Sequence, residues 1–126
     1  MNSVVHFEIP FDKLDRIKKF YEEVFGWKLM ELPNQEYVMA YTVDVDDNFM
    51  PKQAGAINGG LTKRDKNSQS TVVVVNVADI NQHIKMVEAA GGSLVSGPDQ
   101  VMDMGLYARV KDSEDNVIGL WQTLKM

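Results

Sequence analysis

The sequence contains no cysteine and no long apolar run. Without cysteine the chain can form neither disulfides nor zinc-finger sites and can do no thiolate chemistry, so a reducing compartment is permitted. Its most apolar stretch, residues 72–75, is far shorter than the ~20 residues that a membrane-spanning helix needs. The first residues lack the pattern of a signal peptide. We therefore predict a cytoplasmic protein without a membrane partner.

Basic residues are also scarce. Lys and Arg number 13 against 18 Asp and Glu, which gives a net charge of −5, and they form no basic block. Because affinity for nucleic acid depends on basic contacts with phosphates, we expect no nucleic-acid partner. The 126 residues are 44% hydrophobic, which is enough for the core of one domain of ordinary size.

One local pattern occurs twice in the chain. A strand-like run followed by a helix-like run closes with Gly26, and the same succession later closes with Gly92. The offset between the two glycines is 92 − 26 = 66, and at this offset apolar positions recur in register, with Leu14 falling on Ile80. A strand–helix unit that repeats in a small chain indicates a duplicated module.

Periodicity and capping residues predict the elements. In the first helix-like run apolar residues recur at spacings of three and four, which is typical of an amphipathic helix lying on a sheet. Asp12 and Asp79 are expected N-caps because their carboxylates can accept from free amides of the first turn. Gly26 and the pair 91–92 are expected to end the helices. The predicted helices are 14–25 and 80–90, and the predicted strands are 4–9, 27–32, 36–43, 56–63, 71–77, 93–96, 106–111 and 117–123.

Strand alternation separates core side chains from those that could do chemistry. If Val5, Phe7 and Ile9 face the helix, then His6 faces the opposite, concave side. The same rule applied to the other strands leaves a mostly apolar hollow with a few polar groups, the usual form of a small-molecule site. The predicted ligand-binding residues are His6, Glu8, Met39, Tyr41, Asn76, Tyr107, Arg109 and Trp121.

Each of these residues also has a structural interpretation. His6 can contact a ligand, act as an acid or base, or be a histidine whose neighbours satisfy it. Glu8 and Arg109 can pair with each other, or Arg109 can bind an anionic substrate. Trp121 and Met39 can simply fill the core. The sequence leaves these alternatives open.

The amino-acid sequences of the two repeats also resemble a known family. The stretches VHFEIP, KKFYEEVFGWKL, AAGGSLV and DSEDNVIGLWQ closely resemble the vicinal oxygen chelate superfamily, the group of glyoxalases, bleomycin-resistance proteins and extradiol dioxygenases. The resemblance implies an α+β fold in which two βαβββ modules form a curved half-barrel. It also implies a single domain over residues 1–126, with module one at about 1–66 and module two at about 67–126, and a homodimer.

Metal-dependent members of this superfamily place one ligand on the first strand and one on the last strand of each module. The first such position is His6, but the matching position of the second module is Val72, since 6 + 66 = 72. The last strand carries Gly119 where the family has a glutamate, and the segment 59–61 offers neither a carboxylate nor an imidazole. The resemblance therefore predicts no metal site, with His6 as a degenerate remnant.

Two functions of different classes follow. The first is a metal-independent small-molecule-binding protein of the glyoxalase and bleomycin-resistance-like group, with its ligand on the concave face and no cofactor. The alternative is a lyase, isomerase or dioxygenase-type enzyme. It would keep a relocated site for Ni, Mn, Fe or Zn around His6 and Glu8, or use Glu8 as general base and Arg109 as the charge that stabilises an oxyanion. A third hypothesis is a structural module that dimerises and lacks a cavity.

Overall fold

The computed structural model describes residues 1–33 and 36–124. Within these ranges the chain forms two helices and eight strands. In chain order they are β1 (Val4–Phe11), α1 (Leu14–Phe25), β2 (Lys28–Glu31), β3 (Tyr37–Tyr41), β4 (Asn58–Lys63), β5 (Val72–Asn76), α2 (Ile80–Ala89), β6 (Ser93–Val101), β7 (Gly105–Lys111) and β8 (Val117–Thr123). The order is βαβββ twice, so the predicted α+β class with two βαβββ modules is confirmed.

Residues 6–71 form one compact unit, which we call module one. Its strands lie in the order β2-β3-β4-β1; β1 and β4 are parallel and the other neighbours are antiparallel. The helix α1 covers one face of this sheet, where a core of apolar side chains excludes water. The buried members of this core are Phe11, Val38, Ala40 and Leu61, and Leu14 and Ile17 of α1 pack against them.

Residues 1–5 and 72–124 belong to the second compact unit, which we call module two. Its strands lie in the order β5-β8-β7-β6, with β5 and β8 parallel. The helix α2 buries Ile80 and Ile84 against the sheet. The other buried members of this core are Val77, Ala108, Val110 and Leu120. Both predicted helices are therefore amphipathic helices on sheets.

The helix caps agree with the sequence at three positions and differ at one. The carboxylate of Asp79 accepts from the backbone N–H of Gln82 at 3.1 Å, as predicted for α2. Gly26 ends α1 in the left-handed region with φ 69°, as predicted. The prediction for Asp12 is wrong, because the N-cap position is Lys13 and no side chain caps α1. Asp12 instead accepts from Nε of Arg64 at 3.0 Å, since a guanidinium competes well for a carboxylate.

The remaining predicted cap, the glycine pair 91–92, follows α2. Gly91 has φ 100°, and the backbone N–H of Gly92 donates to the carbonyl oxygen of Val87 at 2.8 Å. The helix ends at Ala89, one residue earlier than predicted. The pair thus satisfies a carbonyl group of the last turn, as such an ending requires.

Strand β3 ends at Tyr41, two residues before the predicted end. The reason is a side chain, since the backbone N–H groups of Thr42 and Val43 donate to Oδ1 of Asn58 at 2.7 and 3.2 Å. These groups therefore make no ladder bonds, and β4 begins at Asn58 rather than at residue 56.

Strand β6 is longer than predicted. It runs past residue 96 to Val101, and its register with β7 shifts between Leu94 and Ser96 and again between Ser96 and Asp99. Such irregularities let a strand continue through residues that break the local pattern, here Gly97 with φ 83°. Neither helix in the described part of the chain is long and apolar enough to cross a membrane.

Candidate functional site

Module one presents four of the predicted site residues on one sheet face. His6 pairs with Asn58, and Glu8 and Met39 both pair with Gly60, so their side chains point to the same side. Tyr41 follows two residues after Met39 and shares this face. The face lies opposite the core that packs against α1. We call it the polar face of module one.

A hydrogen bond joins two side chains on this face. His6 Nε2 lies 2.9 Å from the hydroxyl of Tyr37. Burial lowers the pKa of His6, and the nearby charge of Glu8 opposes this shift only in part. Because the ordinary value is about 6.5, the imidazole is neutral at pH 7. A neutral imidazole has one donor nitrogen and one acceptor nitrogen, so Nε2 donates to the hydroxyl in one tautomer and accepts from it in the other.

Tyr37 also fills the space above a glycine. A Cβ atom added at Gly60 would overlap the hydroxyl and the ring of Tyr37. Gly60 lies on the last strand of module one, opposite Glu8 of the first strand. The tyrosine therefore occupies the volume that a side chain at position 60 would need.

Module two brings the other four predicted residues together. Asn76 and Tyr107 both pair with Trp121, and Arg109 pairs with Gly119. Their side chains therefore share the face opposite the core beneath α2. Arg109 is only 7% exposed, and its Nε donates to the Tyr107 hydroxyl at 3.1 Å. The guanidinium carbon also lies 5.9 Å from the centre of the Tyr107 ring, within the range of a cation–π contact.

Gly119 repeats the arrangement found at Gly60. A Cβ atom at Gly119 would lie 2.8 Å from the Tyr107 hydroxyl and 3.0 Å from Cγ2 of Val74. Gly119 pairs with Val74, which follows Glu8 by the repeat offset of 66 (74 − 8). In each module, a tyrosine of the third strand thus covers a glycine at the same position of the fourth strand.

Comparison with known proteins gives three kinds of match. A family model described as "Bleomycin resistance protein-like N-terminal" matches residues 3–42. The lactoylglutathione lyase of Haemophilus influenzae is 27% identical over 101 residues, which cover 76% of this chain and 75% of that protein. Lactoylglutathione lyase GLX1 of Arabidopsis thaliana is 28% identical over 118 residues, which cover 86% of this chain. The alignment spans only 40% of the length of the Arabidopsis protein.

A solved structure has the same fold over nearly the whole chain. Methylmalonyl-CoA epimerase from Mycobacterium tuberculosis superposes with a TM-score of 0.62 and 15% identity, covering 97% of this chain and 88% of that one. The family-model match, the two lactoylglutathione lyases and the fold all point to the vicinal oxygen chelate superfamily. At this identity the structural likeness shows the fold alone, and a fold hosts many chemistries.

In residues 1–33 and 36–124 the side chains do not offer the donor set of a metal ion. The described residues include no group of three or more His, Cys, Asp or Glu side chains that could hold one. His6 is the one imidazole at a ligand position of the superfamily, and it lies against Tyr37. The last-strand positions are Gly60 and Gly119, which have no donor atom. A divalent ion needs several such donors in a suitable geometry.

Two cavities, of about 340 and 210 Å³, lie in module one. The larger is bordered by Arg16, Phe20 and Arg64, and the smaller by Tyr37 and Lys63. None of the eight predicted site residues lines either of them. On the polar face itself Glu8 is 6% exposed and Asn58 is 7% exposed, whereas His6, Tyr37 and Met39 are half-buried.

Sequence reasoning missed two residues of the polar face, Tyr37 and Asn58. Strand alternation could have found Tyr37, because it precedes Met39 by two positions on one strand. Asn58 lies two residues before Gly60 and follows the same rule. The hydrogen bonds of these two residues connect segments that are distant in the sequence, so no local sequence pattern predicts the bonds.

The buried imidazole of His6 gives stability a pH dependence. The folded chain holds the pKa of His6 below the unfolded value of about 6.5, so the unfolded state binds the proton more readily. We therefore expect the contribution of His6 to the free energy of unfolding to decrease as the pH falls through that value. An NMR titration of the imidazole should give a midpoint below about 6.5.

Urea unfolding between about pH 8 and pH 5 checks the same effect. The His6→Gln variant is the control, because it lacks the titrating group and should lose less stability over this interval. A His6 midpoint at or above the unfolded value, or equal slopes for both proteins, would contradict the expectation.

Proposed function

We propose that this protein is a metal-independent small-molecule-binding protein of the glyoxalase and bleomycin-resistance-like group. One observation carries the proposal: in both modules the last-strand ligand position is a glycine covered by a tyrosine, Gly60 by Tyr37 and Gly119 by Tyr107. A divalent ion held by one imidazole would have little affinity. Restoring a ligand would require a side chain and also the removal of the tyrosine above it.

The polar face of module one supports binding of an organic molecule. It combines a neutral imidazole at His6, the carboxylate of Glu8 and the apolar side chain of Met39. A few polar groups among apolar ones are the usual composition of a small-molecule site. The ligand contacts predicted for Asn76, Tyr107, Arg109 and Trp121 stay predictions, as do the homodimer and the cytoplasmic location.

The alternative is an enzyme, and the relatives favour it. Two relatives, 27% and 28% identical, are lactoylglutathione lyases. The roles that such an enzyme would use here are Glu8 as general base and Arg109 as the charge that stabilises an oxyanion. Arg109 bonds to Tyr107, which orients its guanidinium without removing its charge. This alternative requires a substrate that the protein converts to a product. The experiment described next tests both functions.

The deciding experiment is a thermal titration of protein stripped with a chelator. Nickel, manganese, iron(II) and zinc are added separately to the wild type and to His6→Ala. A ligand at a hundred times its Kd stabilises by about 2.7 kcal/mol, so a specific ion is easily seen. We expect no saturable rise with any of the four metals, because the donor set lacks the ligands.

A saturable rise with one metal that His6→Ala abolishes would overturn the proposal and favour the enzyme. A rise that both proteins share would indicate binding away from His6. The same assay then screens metabolites in the presence of chelator. The proposed function requires a compound that raises the unfolding temperature and is recovered unchanged, and recovery of a product would favour the alternative.

A further inference from the structure

An amide on the polar face of module one has a fixed orientation. Oδ1 of Asn58 accepts from the backbone N–H of Thr42 at 2.7 Å and of Val43 at 3.2 Å. It also lies 3.2 Å from the Thr42 hydroxyl. Only the oxygen of an amide can accept from an N–H group, so the two backbone donors determine which end of the side chain is Nδ2.

The nitrogen end of this amide makes no protein hydrogen bond. Nδ2 of Asn58 is buried, and no acceptor in residues 1–33 and 36–124 reaches it. The whole residue is only 7% exposed. Buried amide donors are almost always paired, because an unpaired one has lost its water without compensation. Such a donor is open to an acceptor that a bound molecule supplies, whether that molecule is water or an organic ligand.

The position of Asn58 connects the unpaired donor to the proposed ligand face. Asn58 pairs with His6 on the adjacent parallel strand, and Glu8 lies two residues further along the same face. Neighbouring strands are about 4.8 Å apart, so one small molecule can touch both the amide and the imidazole. The imidazole of His6 is neutral and offers no positive charge to an anionic ligand.

We propose that Asn58 is a ligand-binding residue whose Nδ2 donates a hydrogen bond to the carbonyl oxygen of an uncharged small molecule. This inference rests on the proposed function, since it assumes an organic ligand on this face. The ligand supplies the acceptor that the protein lacks. Because the amide is almost fully buried, neighbouring side chains such as Tyr37 move when the ligand binds.

A matched pair of probes tests this inference: benzamide, which has a neutral carbonyl, and benzoate, which has a carboxylate on the same ring. Nitrogen-labelled wild-type protein is titrated with each in the presence of chelator, and the side-chain amide resonances of Asn58 are followed by NMR. We expect benzamide to shift these resonances saturably. We expect benzoate to bind at least about tenfold more weakly, a factor that corresponds to about 1.4 kcal/mol.

The test variant is Asn58→Asp. It keeps an oxygen that accepts from Thr42 and Val43 but loses the donor, and its new oxygen repels a carbonyl. We expect benzamide affinity to fall at least about tenfold. The control is Asn48→Asp, which makes the same change at an exposed residue of the loop between β3 and β4 and should bind benzamide like the wild type. If Asn58→Asp does not fold, the wild-type amide resonances still decide the question.

The inference fails if the Asn58 resonances do not move up to the solubility limit of benzamide, or if Asn58→Asp binds benzamide as tightly as the wild type. Benzamide that shifts other resonances and leaves Asn58 unmoved would leave small-molecule binding intact and overturn the role of this residue. Tighter binding of benzoate would overturn the uncharged class. The metal titration tests the proposed function separately, so the two failures are distinguishable.

Discussion

Replacing Leu61 by alanine is expected to lower the free energy of unfolding by about 3 to 5 kcal/mol. Leu61 is fully buried, and on neighbouring strands it pairs with Ile9 and Val38. Truncation removes apolar contacts on both sides and leaves a cavity in the middle of a sheet, where the backbone cannot collapse to fill it. Urea unfolding followed by circular dichroism measures the loss.

The matched control is Leu94→Ala. Leu94 is 41% exposed on β6, and the substitution removes the same atoms. Because most of that side chain already contacts water, the loss should stay below about 1 kcal/mol. Similar losses for the two variants would contradict the assignment of Leu61 to the core of module one.

Both helices could be predicted from the sequence because their signals are local. The spacing of Leu14 and Ile17 marks one face of α1, and Gly26 marks its end, so the predicted bounds 14–25 agree with the structure. Strand β8 was predicted with its observed bounds as well. In such segments the hydrophobic period and the terminating residue lie within one short stretch.

Other features depend on residues that are distant in the sequence. The carboxylate of Asp12 is bound by Arg64, 52 residues away, so it does not cap α1. Asn58 takes the backbone donors of Thr42 and Val43 and thereby shortens β3. No local sequence pattern contains these partners. The local preference of a residue for a helix cap or a strand is overridden when a tertiary hydrogen bond is stronger.

The candidate site shows the same division. Alternation along single strands was sufficient to place His6 and Glu8 on one face. The contact that explains glycine at the last-strand positions depends on the register between strands, which brings Tyr37 over Gly60. It could not be predicted from any single strand. The sequence shows that these positions lack metal-ligating side chains. Only the fold shows that tyrosine side chains occupy the space above them.

The second large effect is expected at the start of β7, where Gly105 lies beneath the ring of Trp121. A Cβ atom at Gly105 would overlap the indole ring and would lie 2.6 Å from the carbonyl oxygen of Gln122. The carbonyl belongs to the backbone of β8, paired with β7, so it cannot yield without breaking the ladder. We expect Gly105→Ala to lower the free energy of unfolding by about 1 to 3 kcal/mol.

The same substitution should displace Trp121, one of the predicted ligand contacts. The chain has two tryptophans, so the measurement is made in a Trp27→Phe background, where all tryptophan emission comes from Trp121. We expect the emission of Gly105→Ala to shift relative to this background, because the indole loses its packing over the glycine. Urea unfolding of the same protein gives the stability change.

Gly55→Ala is the control for this prediction. Gly55 has φ 84°, and no atom lies within 4 Å of an added Cβ, so backbone strain alone opposes the substitution. That strain costs about 1 to 2 kcal/mol, and the emission of Trp121 should stay unchanged. If Gly105→Ala leaves both emission and stability like those of the background, the indole does not rest on residue 105.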